Sequence, residues 1–316
     1  MTFAATKVRV DVPATSANLG PGFDTAGLAL NFYDTVIVEA LPAQGVHMVI
    51  HGEGEDSLPR DERHLVVRAL RKASESFDLP EFGVNLTAWN RIPQSRGMGS
   101  SASAIVAGVA AAAGLAGLDM HSSEVRDEIF NIAAQLEGHP DNVAPAVYGG
   151  MTISWLESST RSFRTVQYPV DKNVNAWIFI PDFELSTSKA REVLPQEVPY
   201  EDALKNVSRA ALLPAALGRG DNDLLFHATV DRLHQPYRAP LMGPSARLVD
   251  FLRAQGYAAV ISGAGPCVLC LHAGDDTDKL RNITAKSIDM SQWRMEHLGI
   301  DHNGVRVYEE SAKKEQ

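Results

Sequence analysis

"PQSRGMGSSASAIVAGVAAAAG", residues 93–114, is the stretch that decides the fold. A turn rich in glycine and serine runs without a break into an alanine-rich segment that is typical of a buried helix. A phosphate group held by protein needs several backbone N–H groups aimed at one point, and a helix N-terminus supplies them with a favourable dipole. The stretch therefore has two interpretations, a phosphate-binding loop or a plain connection into a buried helix.

The RGMGSSAS core of this stretch has the residue types that a phosphate site needs. Gly97 and Gly99 allow close backbone approach, and the hydroxyls of Ser100, Ser101 and Ser103 add donors without bulk. The chain has no G-x-x-x-x-G-K-[ST] motif, and the loop lacks the third glycine of a dinucleotide fingerprint. Taken alone, the loop leaves both interpretations open.

The composition of the 316-residue chain is that of a globular protein, with 45% hydrophobic and 22% charged residues. Its formal net charge is −10. General nucleic-acid binding needs a surplus of Lys and Arg opposite the phosphates, so we expect no nucleic-acid partner. A phosphorylated small molecule stays possible, because a local pocket can be positive on an acidic protein.

Nothing in the hydropathy pattern indicates a membrane segment. The first residues, MTFAATKVRVDV, lack the apolar core of a signal peptide. The longest apolar run, Ala102–Leu118, is mostly alanine and is interrupted by Gly108, Gly114 and Gly117. We therefore expect a cytoplasmic protein with no membrane partner.

The two cysteines, Cys267 and Cys270, form a C-x-x-C pair. A structural zinc site needs four ligands, and no second pair exists. The pair lies in YAAVISGAGPCVLCLH, which has the pattern of two apolar strands around a glycine turn, and positions three apart on a strand face opposite sides. We expect two buried cysteines without a ligand.

The order of predicted elements indicates an α+β protein. Strands are predicted at Val8–Val12, Thr35–Leu41, Val46–His51 and Val84–Trp89, and a helix at 123–137. A polar connection is predicted at 157–172, and helices at about 188–194, 201–217, 221–233 and 244–255. This order lacks the steady alternation of a doubly wound sheet. We expect two α+β domains, residues 1–160 and 161–316.

Two further segments bear on the phosphate loop. VPATSANLGPGFDTAGLAL, residues 12–30, places many turn formers between two apolar stretches, and SGAGP, residues 262–266, is another glycine turn. In this order the three segments resemble the GHMP kinase motifs. The first matches the amino-terminal motif, PQSRGMGSS the ATP-phosphate motif P-x-x-x-G-[LM]-G-S-S, and SGAGP the carboxy-terminal glycine motif. The resemblance spans nearly the whole chain.

The resemblance implies a two-domain GHMP kinase fold. Its amino-terminal, ATP-binding domain is similar to domain 2 of ribosomal protein S5, and its carboxy-terminal domain is ferredoxin-like. It also implies ATP as a substrate, with the region at His64–Val66 bordering the adenine. The residues implied to bind ATP are Pro93, Gln94, Ser95, Arg96, Gly97, Met98, Gly99, Ser100, Ser101, Ala102 and Ser103.

Four segments are similar to those of the GHMP kinases that phosphorylate L-homoserine. They are SANLGPGFDTAGLAL (16–30), LEGHPDNVAPAVYGG (136–150), STSKAREVLP (186–195) and RLHQPYR (232–238). The implied reaction moves the γ-phosphoryl group of ATP to the side-chain hydroxyl of homoserine, on the route to threonine. The resemblance also implies a homodimer.

The residue chemistry fits this zwitterionic substrate. Arg191 and Arg238 can each offer a two-pronged donor to a carboxylate, and Asp24 can take the ammonium. Further polar walls are expected from Asn18, His139 and Asp141. Each residue also has a plainer interpretation: an Arg is commonly a solvated surface group, and a residue after Pro140 can cap a helix or form a turn.

The catalytic and metal-binding roles come from the resemblance. It implies that Asn142 hydrogen-bonds the attacking hydroxyl, and that Glu137 coordinates Mg²⁺ with a hydroxyl oxygen from Ser100 or Ser101. Phosphoryl transfer depends mainly on positioning and charge stabilisation, so we assign no strong general base. Asp24 is the nearest candidate for a catalytic carboxylate, but it cannot readily take a proton while it holds the ammonium.

Two alternatives stay open at this point. One is a GHMP kinase for another alcohol such as mevalonate, against which Asp24 argues because it suits an amine. The other is an RNA-binding module on the S5-type fold, against which the net charge argues.

One departure from the family motif is Cys267, which follows SGAGP where Thr or Ser is usual, so a hydroxyl role there is lost or replaced.

Overall fold

The computed structural model describes residues 3–310, in which helices pack against two β-sheets. The strands are β1 (Lys7–Ala17), β2 (Ala26–Leu41), β3 (Val46–Gly52), β4 (Gly83–Asn90), β5 (Met151–Glu157), β6 (Ser162–Tyr168), β7 (Val174–Pro181), β8 (Ala258–Ile261), β9 (Val268–Ala273), β10 (Trp293–Leu298) and β11 (Arg306–Glu309). The helices are α1 (Leu65–Ser76), α2 (Ser100–Leu115), α3 (Ser123–Glu137), α4 (Val143–Tyr148), α5 (Thr187–Glu192), α6 (Tyr200–Arg219), α7 (Asn222–Ala228), α8 (Gln235–Arg238), α9 (Gly243–Ala254) and α10 (Thr277–Ser287).

The first sheet has the strand order β11-β1-β2-β4-β3, and β5 pairs with both β2 and β6. The second sheet has the order β10-β7-β9-β8. Only the β3–β4 pair among the described strands is parallel. Because β11 returns to the first sheet, the last described strand packs beside the first strand of the chain. The predicted boundary between residues 160 and 161 stays a prediction.

Helix α2 is central to the first core because its small side chains let neighbours approach on almost every side. A Cβ on Gly108 would overlap the carbonyl oxygen of Val66 on α1. The alanines of α2 are buried against the first sheet and against α1 and α3. A helix that is apolar all round is a buried one, which explains the long apolar run in the sequence. No helix in residues 3–310 is long and apolar enough to cross a membrane.

A second core joins the two sheets. It includes Leu28 and Ala14 of the first sheet, together with Ile178 and Leu269 of the second. A third core lies on the other face of the second sheet, where α9 and α10 pack. The two sheets are therefore joined by continuous apolar packing, and the loops at their junction are held at fixed positions.

The α+β class and the predicted strands and helices are largely confirmed. The polar connection predicted at 157–172 is wrong, because β6 lies there and pairs with β5. Strand β6 is mostly polar and half-exposed, so its sequence lacks the alternation of apolar and polar residues that predicts a strand. The helix predicted at 221–233 ends at Ala228, and β10 was not predicted.

Both cysteines are fully buried, as the sequence predicts, and they form no disulfide with each other. Cys267 belongs to the core between the sheets and Cys270 to the core beneath α9. Burial raises the pKa of both thiols. The two thiols therefore lie in separate cores and serve as small apolar groups.

Candidate active site

A cavity of about 310 Å³ brings together most of the residues predicted to bind substrate and nucleotide. Its wall comes from the loop after β1, the loop before α2, the connection between α3 and α4, helices α5 and α8, and the turn between β8 and β9. The predicted residues that line it are Asn18, Asp24, Pro93, Gln94, Ser95, Gly97, Gly99, Ser100, Ser101, Ser103, Glu137, His139, Asp141, Asn142, Arg191 and Arg238.

Three predicted loop residues direct their side chains elsewhere. The Arg96 guanidinium donates to the carbonyl oxygen of Pro181 at 3.0 Å, and the side chains of Met98 and Ala102 are buried in the cores. These contacts anchor the loop to both sheets. Arg96, Met98 and Ala102 do not line the cavity with their side chains, so their predicted contact with ATP would come from the backbone and stays a prediction.

The phosphate loop packs tightly against the SGAGP turn and β1. A Cβ on Gly97 would overlap the carbonyl oxygen of Ser262, and a Cβ on Gly99 would overlap the Thr15 hydroxyl. The Ser262 hydroxyl donates to the Gly97 carbonyl at 2.6 Å, and the Thr15 amide donates to the Met98 carbonyl at 3.1 Å. Both glycines have positive φ. Glycine is thus required here by contacts within the chain, which fix the loop at the start of α2.

The N-terminus of α2 opens directly behind this loop. Gly99 is left-handed at φ 74, and the first helical hydrogen bond runs from the Ser103 amide to the Gly99 carbonyl at 2.8 Å. The amides of Ser100, Ser101 and Ala102 consequently have no helical acceptor. Free amides and a helix dipole at a cavity wall are the arrangement that binds phosphate.

The buried carboxylate of Asp34 holds the first turn of this helix and lines the same cavity. Asp34 accepts hydrogen bonds from the Ser103 hydroxyl at 3.1 Å and from the amides of Arg91 and Ile92 at 2.7 and 2.9 Å. Burial raises the pKa of Asp34 to about 6. The Ser103 hydroxyl therefore donates to protein in this structure, and its role toward a phosphate stays a prediction. Asp34 lies inside a strand pattern, and no motif marks it.

Glu137 and Ser101 meet at the edge of the phosphate loop. The Ser101 hydroxyl donates to Glu137 Oε2 at 2.7 Å, and burial raises the pKa of the Glu137 carboxyl. Within residues 3–310, no Lys or Arg forms an ion pair with Glu137. Ser100, the hydroxyl named in the prediction, lies one residue earlier on the cavity wall.

The oxygen donors of Glu137, Ser100 and Ser101 at the cavity wall suit Mg²⁺. In the described part of the chain no group of three His, Cys, Asp or Glu side chains could hold a metal ion. Mg²⁺ needs no such cluster, because it keeps several waters and is commonly bound by one or two carboxylates plus substrate phosphates. A half-buried carboxylate beside a phosphate loop, with which no Lys or Arg of the described residues pairs, fits that pattern.

Two predicted substrate groups bind each other at the other end of the cavity. Arg191 donates from Nη1 and Nη2 to the two carboxylate oxygens of Asp24, each at 2.9 Å. The pair is about one-third exposed. This contact raises the pKa of Arg191. Helix α5 carries Arg191, and the Ser186 hydroxyl accepts the Lys189 amide at its start.

Arg238 is one of the largest fully buried side chains, at 1% exposure. Its Nε donates to the Ala190 carbonyl at 2.9 Å, and Nη1 lies 3.1 Å from His234 Nδ1. No acceptor within residues 3–310 forms a hydrogen bond with Nη2. The centre of the Phe23 ring lies 5.2 Å from the Arg238 guanidinium carbon and 5.9 Å from that of Arg191, so one aromatic ring contacts both cations.

Asn142 is oriented by a residue of β1. The Thr15 hydroxyl donates to Asn142 Oδ1 at 2.8 Å, which directs the amide nitrogen away from β1. His139 Nδ1 lies 3.0 Å from Asp141 Oδ1, and this hydrogen bond raises the pKa of His139. Asn142 is the N-cap residue of α4, but its side chain accepts no hydrogen bond from the amides of that helix. The Asn142 amide nitrogen donates to Asp141 Oδ1 at a long 3.5 Å, which leaves its second N–H for the cavity. Thr15, which orients this amide, is a neighbour that no motif marked.

Asn18 has both ends of its amide engaged with the backbone. It donates to the Gly263 carbonyl at 2.8 Å and accepts the Asp24 amide at 2.9 Å. These bonds tie the Asn18–Asp24 loop to the SGAGP turn. Asn18 shapes the loop that presents Asp24, in addition to lining the cavity.

Two family models match the chain: GHMP kinases N terminal domain over residues 64–150, and GHMP kinases C terminal over residues 211–286. A homoserine kinase of Streptomyces coelicolor is 45% identical over 310 residues, covering 96% of each chain. A homoserine kinase of Corynebacterium aurimucosum is 48% identical over 272 residues, covering 84% of this chain and 87% of the relative. The chain belongs to the GHMP kinase family.

Solved structures of GHMP kinases have the same architecture. The crystal structure of homoserine kinase from Cytophaga hutchinsonii matches with a TM-score of 0.83 at 27% identity, over 96% of this chain and 98% of that one. The L. major mevalonate kinase structure matches with a TM-score of 0.70 at 15% identity, over 96% of this chain and 100% of that one, a likeness of fold alone. The predicted GHMP kinase fold is confirmed, and ATP is the phosphoryl donor that the family uses.

Proposed function

We propose that this GHMP kinase transfers the γ-phosphoryl group of ATP to the side-chain hydroxyl of L-homoserine, giving O-phospho-L-homoserine for threonine biosynthesis. The observation that carries the proposal is one cavity with two chemically different ends. One end is the free N-terminus of α2, which suits a triphosphate. The other end gathers Arg191, Arg238 and Asp24, which suit the carboxylate and the ammonium of an α-amino acid.

The charged groups of homoserine would set the direction of its side chain. With its carboxylate on the arginines and its ammonium on Asp24, the short side chain extends toward the rest of the cavity, where Asn142 offers its amide nitrogen. A hydrogen bond from the Asn142 amide to the substrate hydroxyl would hold that hydroxyl in the orientation needed for in-line attack. We assign no general base, since Asp24 is needed for the ammonium, and the hydroxyl proton passes to the transferred phosphate.

We place Mg²⁺ at Glu137 with a hydroxyl from Ser100 or Ser101. The half-buried carboxylate of Glu137 at the cavity wall and its 2.7 Å contact with the Ser101 hydroxyl support this assignment. When bound there, the ion would neutralise charge on the ATP phosphates. The loop amides at the start of α2 would stabilise the remaining negative charge of the transition state.

The acceptor preference follows from Asp24. A mevalonate-type alcohol carries a carboxylate but no amine, so it would leave the Asp24 carboxylate facing the cavity without a cation from the substrate. An α-amino acid satisfies all three charged groups. This difference favours homoserine over an isoprenoid alcohol.

We propose that the chain forms a homodimer through an exposed apolar stripe on α6. Tyr200, Leu204 and Val207 are 84%, 60% and 65% exposed, and the helical spacing continues through Ala211 and Ala215. Contiguous exposed apolar groups of this kind mark an association surface. We refer to these five residues as the α6 stripe.

The shape and charge of the α6 stripe fit a second copy in antiparallel orientation. Large side chains occupy its N-terminal half and alanines its C-terminal half, so two antiparallel copies place large groups on small ones. The first turn of α6 carries Glu201 and Asp202 and its last turn carries Arg219, which also complement each other in that orientation.

Light scattering tests the dimer. The native chain is expected at twice its 34.2 kDa mass and Val207→Glu at the single mass. Val166→Glu, at a 41% exposed position on β6, should leave the native mass unchanged. A native chain that is monomeric at micromolar concentration would rule out the α6 stripe as a dimer interface.

We propose the cytoplasm as the compartment of this protein, since the reaction consumes ATP.

ADP release with Mg·ATP, measured against L-homoserine, mevalonate, galactose and no acceptor, tests the proposed reaction. Turnover confined to homoserine is expected. Turnover on another alcohol would support the assignment of the phosphate loop but would contradict the assignment of Arg191, Arg238 and Asp24 as a homoserine site. ATP binding without ADP release on any acceptor would contradict the kinase activity itself.

A further inference from the structure

His234 is a fully buried titratable side chain that the reaction described above does not use. It belongs to the RLHQPYR segment and lies one helical turn before Arg238. Its ring touches three parts of the site at once: the Gly20 carbonyl, the Arg238 guanidinium and the ring of Phe23, with which it stacks at 5.0 Å.

The contacts of His234 define its protonation state. Arg238 carries only donors, so His234 Nδ1, at 3.1 Å from Arg238 Nη1, must accept and carry no proton. His234 Nε2 lies 2.7 Å from the carbonyl oxygen of Gly20, so it must donate. Both bonds exist together only in the neutral tautomer with its proton on Nε2.

These two bonds connect the parts of the molecule that would hold the amino acid. Gly20 precedes Phe23 and Asp24 in the Asn18–Asp24 loop, called the substrate loop below, whereas Arg238 lies on α8 in the second half of the chain. The Arg238 side chain is fixed by the Ala190 carbonyl on Nε, and its Nη1 contacts His234 Nδ1 at 3.1 Å and the Gly263 carbonyl at 3.4 Å, which leaves Nη2 as its free edge within the described residues. His234 makes the shorter of the two contacts on Nη1 and therefore helps to decide which edge of the guanidinium is free.

We propose that His234, as the neutral Nε2–H tautomer, is a positioning residue that presets the free edge of Arg238 and holds the substrate loop against it. The proposal rests on the proposed function in that the carboxylate of homoserine is taken to be the ligand of that edge. A preset guanidinium binds a carboxylate without first losing its own conformational freedom.

The surrounding charges are consistent with a neutral ring. Burial lowers the pKa of His234, the carboxylate of Asp231 acts in the opposite direction, and the Arg238 cation lowers it further. Asp24, on the substrate loop, also favours the charged form. Asp231 is largely committed to capping α8, since its Oδ2 accepts the amides of His234 and Gln235. A protonated ring could not accept from Arg238, so acid would release that contact.

Two substitutions separate the two bonds. The oxygen of Asn occupies the place of His Nδ1, so His234→Asn retains an acceptor for Arg238 and loses the donor to Gly20. The amide nitrogen of Gln occupies the place of His Nε2, so His234→Gln retains the donor and loses the acceptor. We expect His234→Gln to raise the KM for homoserine about 10- to 100-fold, the loss of one hydrogen bond to a charged group. His234→Asn is expected to raise it less than about 5-fold.

A double-mutant cycle distinguishes positioning from general packing. With Arg238 replaced by Ala, His234→Gln should change the KM for homoserine by less than about 2-fold, because the residue that it positions is gone. The KM for ATP should stay unchanged in both backgrounds. His227→Gln, at a solvent-exposed histidine on α7, is the matched control and should leave all constants unchanged. Equal effects of the Gln and Asn variants, or an undiminished effect in the Arg238→Ala background, would overturn the proposal.

The tautomer can be measured without any substrate. Nitrogen NMR of histidine-labelled protein at pH 7 should show His234 with its proton on Nε2 and an unprotonated Nδ1. A proton on Nδ1 would overturn the proposal even in an active enzyme. Absence of turnover with homoserine in the native protein would instead contradict the proposed function, and the NMR result would still decide the contact with Arg238.

Discussion

The guanidinium of Arg191 and the carboxylate of Asp24 hold each other through two hydrogen bonds of 2.9 Å at the wall of the cavity. The pair is about one-third exposed, so solvent screens it and its opening costs about 1 kcal/mol or less. A zwitterionic amino acid offers each partner a replacement of the right charge. The pair therefore keeps both groups oriented until substrate takes them over.

Asp24→Asn tests this exchange through the substrate's amine. We expect the variant to raise the KM for homoserine about 10- to 100-fold, because a charge-assisted contact with the ammonium is lost. 4-Hydroxybutyrate, which has the same alcohol and carboxylate but no amine, should be a poor acceptor for the native enzyme. The ratio of kcat/KM between the two acceptors is measured for both proteins. An unchanged ratio in Asp24→Asn would remove Asp24 from the ammonium site.

Gly97→Ala tests whether the phosphate loop depends on its contact with the SGAGP turn. The added Cβ would overlap the Ser262 carbonyl, so we expect a loss of about 2 to 4 kcal/mol in the free energy of unfolding and at least tenfold weaker ATP binding. Gly256→Ala is the control, because Gly256 has a similar φ of +86 and open space around it. That variant should lose only about 1 kcal/mol.

Denaturant unfolding gives the stability of both glycine variants, and calorimetry with a non-hydrolysable ATP analogue gives the affinity. Similar losses in the two variants would mean that the positive φ alone requires glycine at position 97. The contact with Ser262 would then have no part in shaping the loop.

Sequence patterns predicted the cavity's main components because each is a local feature. The glycines at the start of α2 and the turn residues around Asp24 act within a few residues of chain, so a motif records them. The buried cysteines followed from strand alternation in the same way. Such features need no knowledge of the packing of distant elements.

The neighbours of these motifs could not be predicted, since their roles depend on pairing across the chain. Thr15 orients Asn142 from 127 positions away, and Asp34 meets Ser103 across 69 positions. Arg96 and Met98 share the motif's spacing, but the Arg96 guanidinium binds the Pro181 carbonyl and the Met98 side chain is buried in the core between the sheets. Strand β6 was missed because its side chains are mostly polar and half-exposed, so its pairing with β5 is the only signal.

Glu137→Gln tests the proposed magnesium ligand. The variant keeps an oxygen that can accept from the Ser101 hydroxyl, so the local fold should persist, while the negative charge is lost. We expect the Mg²⁺ concentration for half-maximal activity to rise about 10-fold or more. The KM for homoserine should change little. Magnesium titrations of activity measure both.

Glu128→Gln, at an exposed position on the same helix, is the matched control and should titrate like the native enzyme. If Glu137→Gln also titrates like the native enzyme, Glu137 does not bind the ion. The hydroxyl groups and the ATP phosphates would then hold it without a carboxylate from this helix.

Asp34 gives a prediction for stability against pH. Burial raises its pKa to about 6 in the folded protein, above the ordinary value of 3.8. Between these two pH values the folded state binds the proton more tightly than the unfolded state. The contribution of Asp34 to the free energy of unfolding is therefore full below about pH 4 and is lost as the pH rises through 6, by about 3 kcal/mol.

Asp34→Asn isolates this contribution from the other carboxylates that titrate in the same range. The asparagine oxygen can accept the amides of Arg91 and Ile92, and its nitrogen can donate to the Ser103 hydroxyl, so the contacts persist without a titrating group. Urea unfolding of both proteins at pH 4, 5, 6 and 7 gives the difference in stability. We expect native minus variant to fall between pH 4 and 6 and to stay constant above. A difference that is independent of pH would mean that Asp34 is ionised throughout, and that its three hydrogen bonds outweigh the cost of burial.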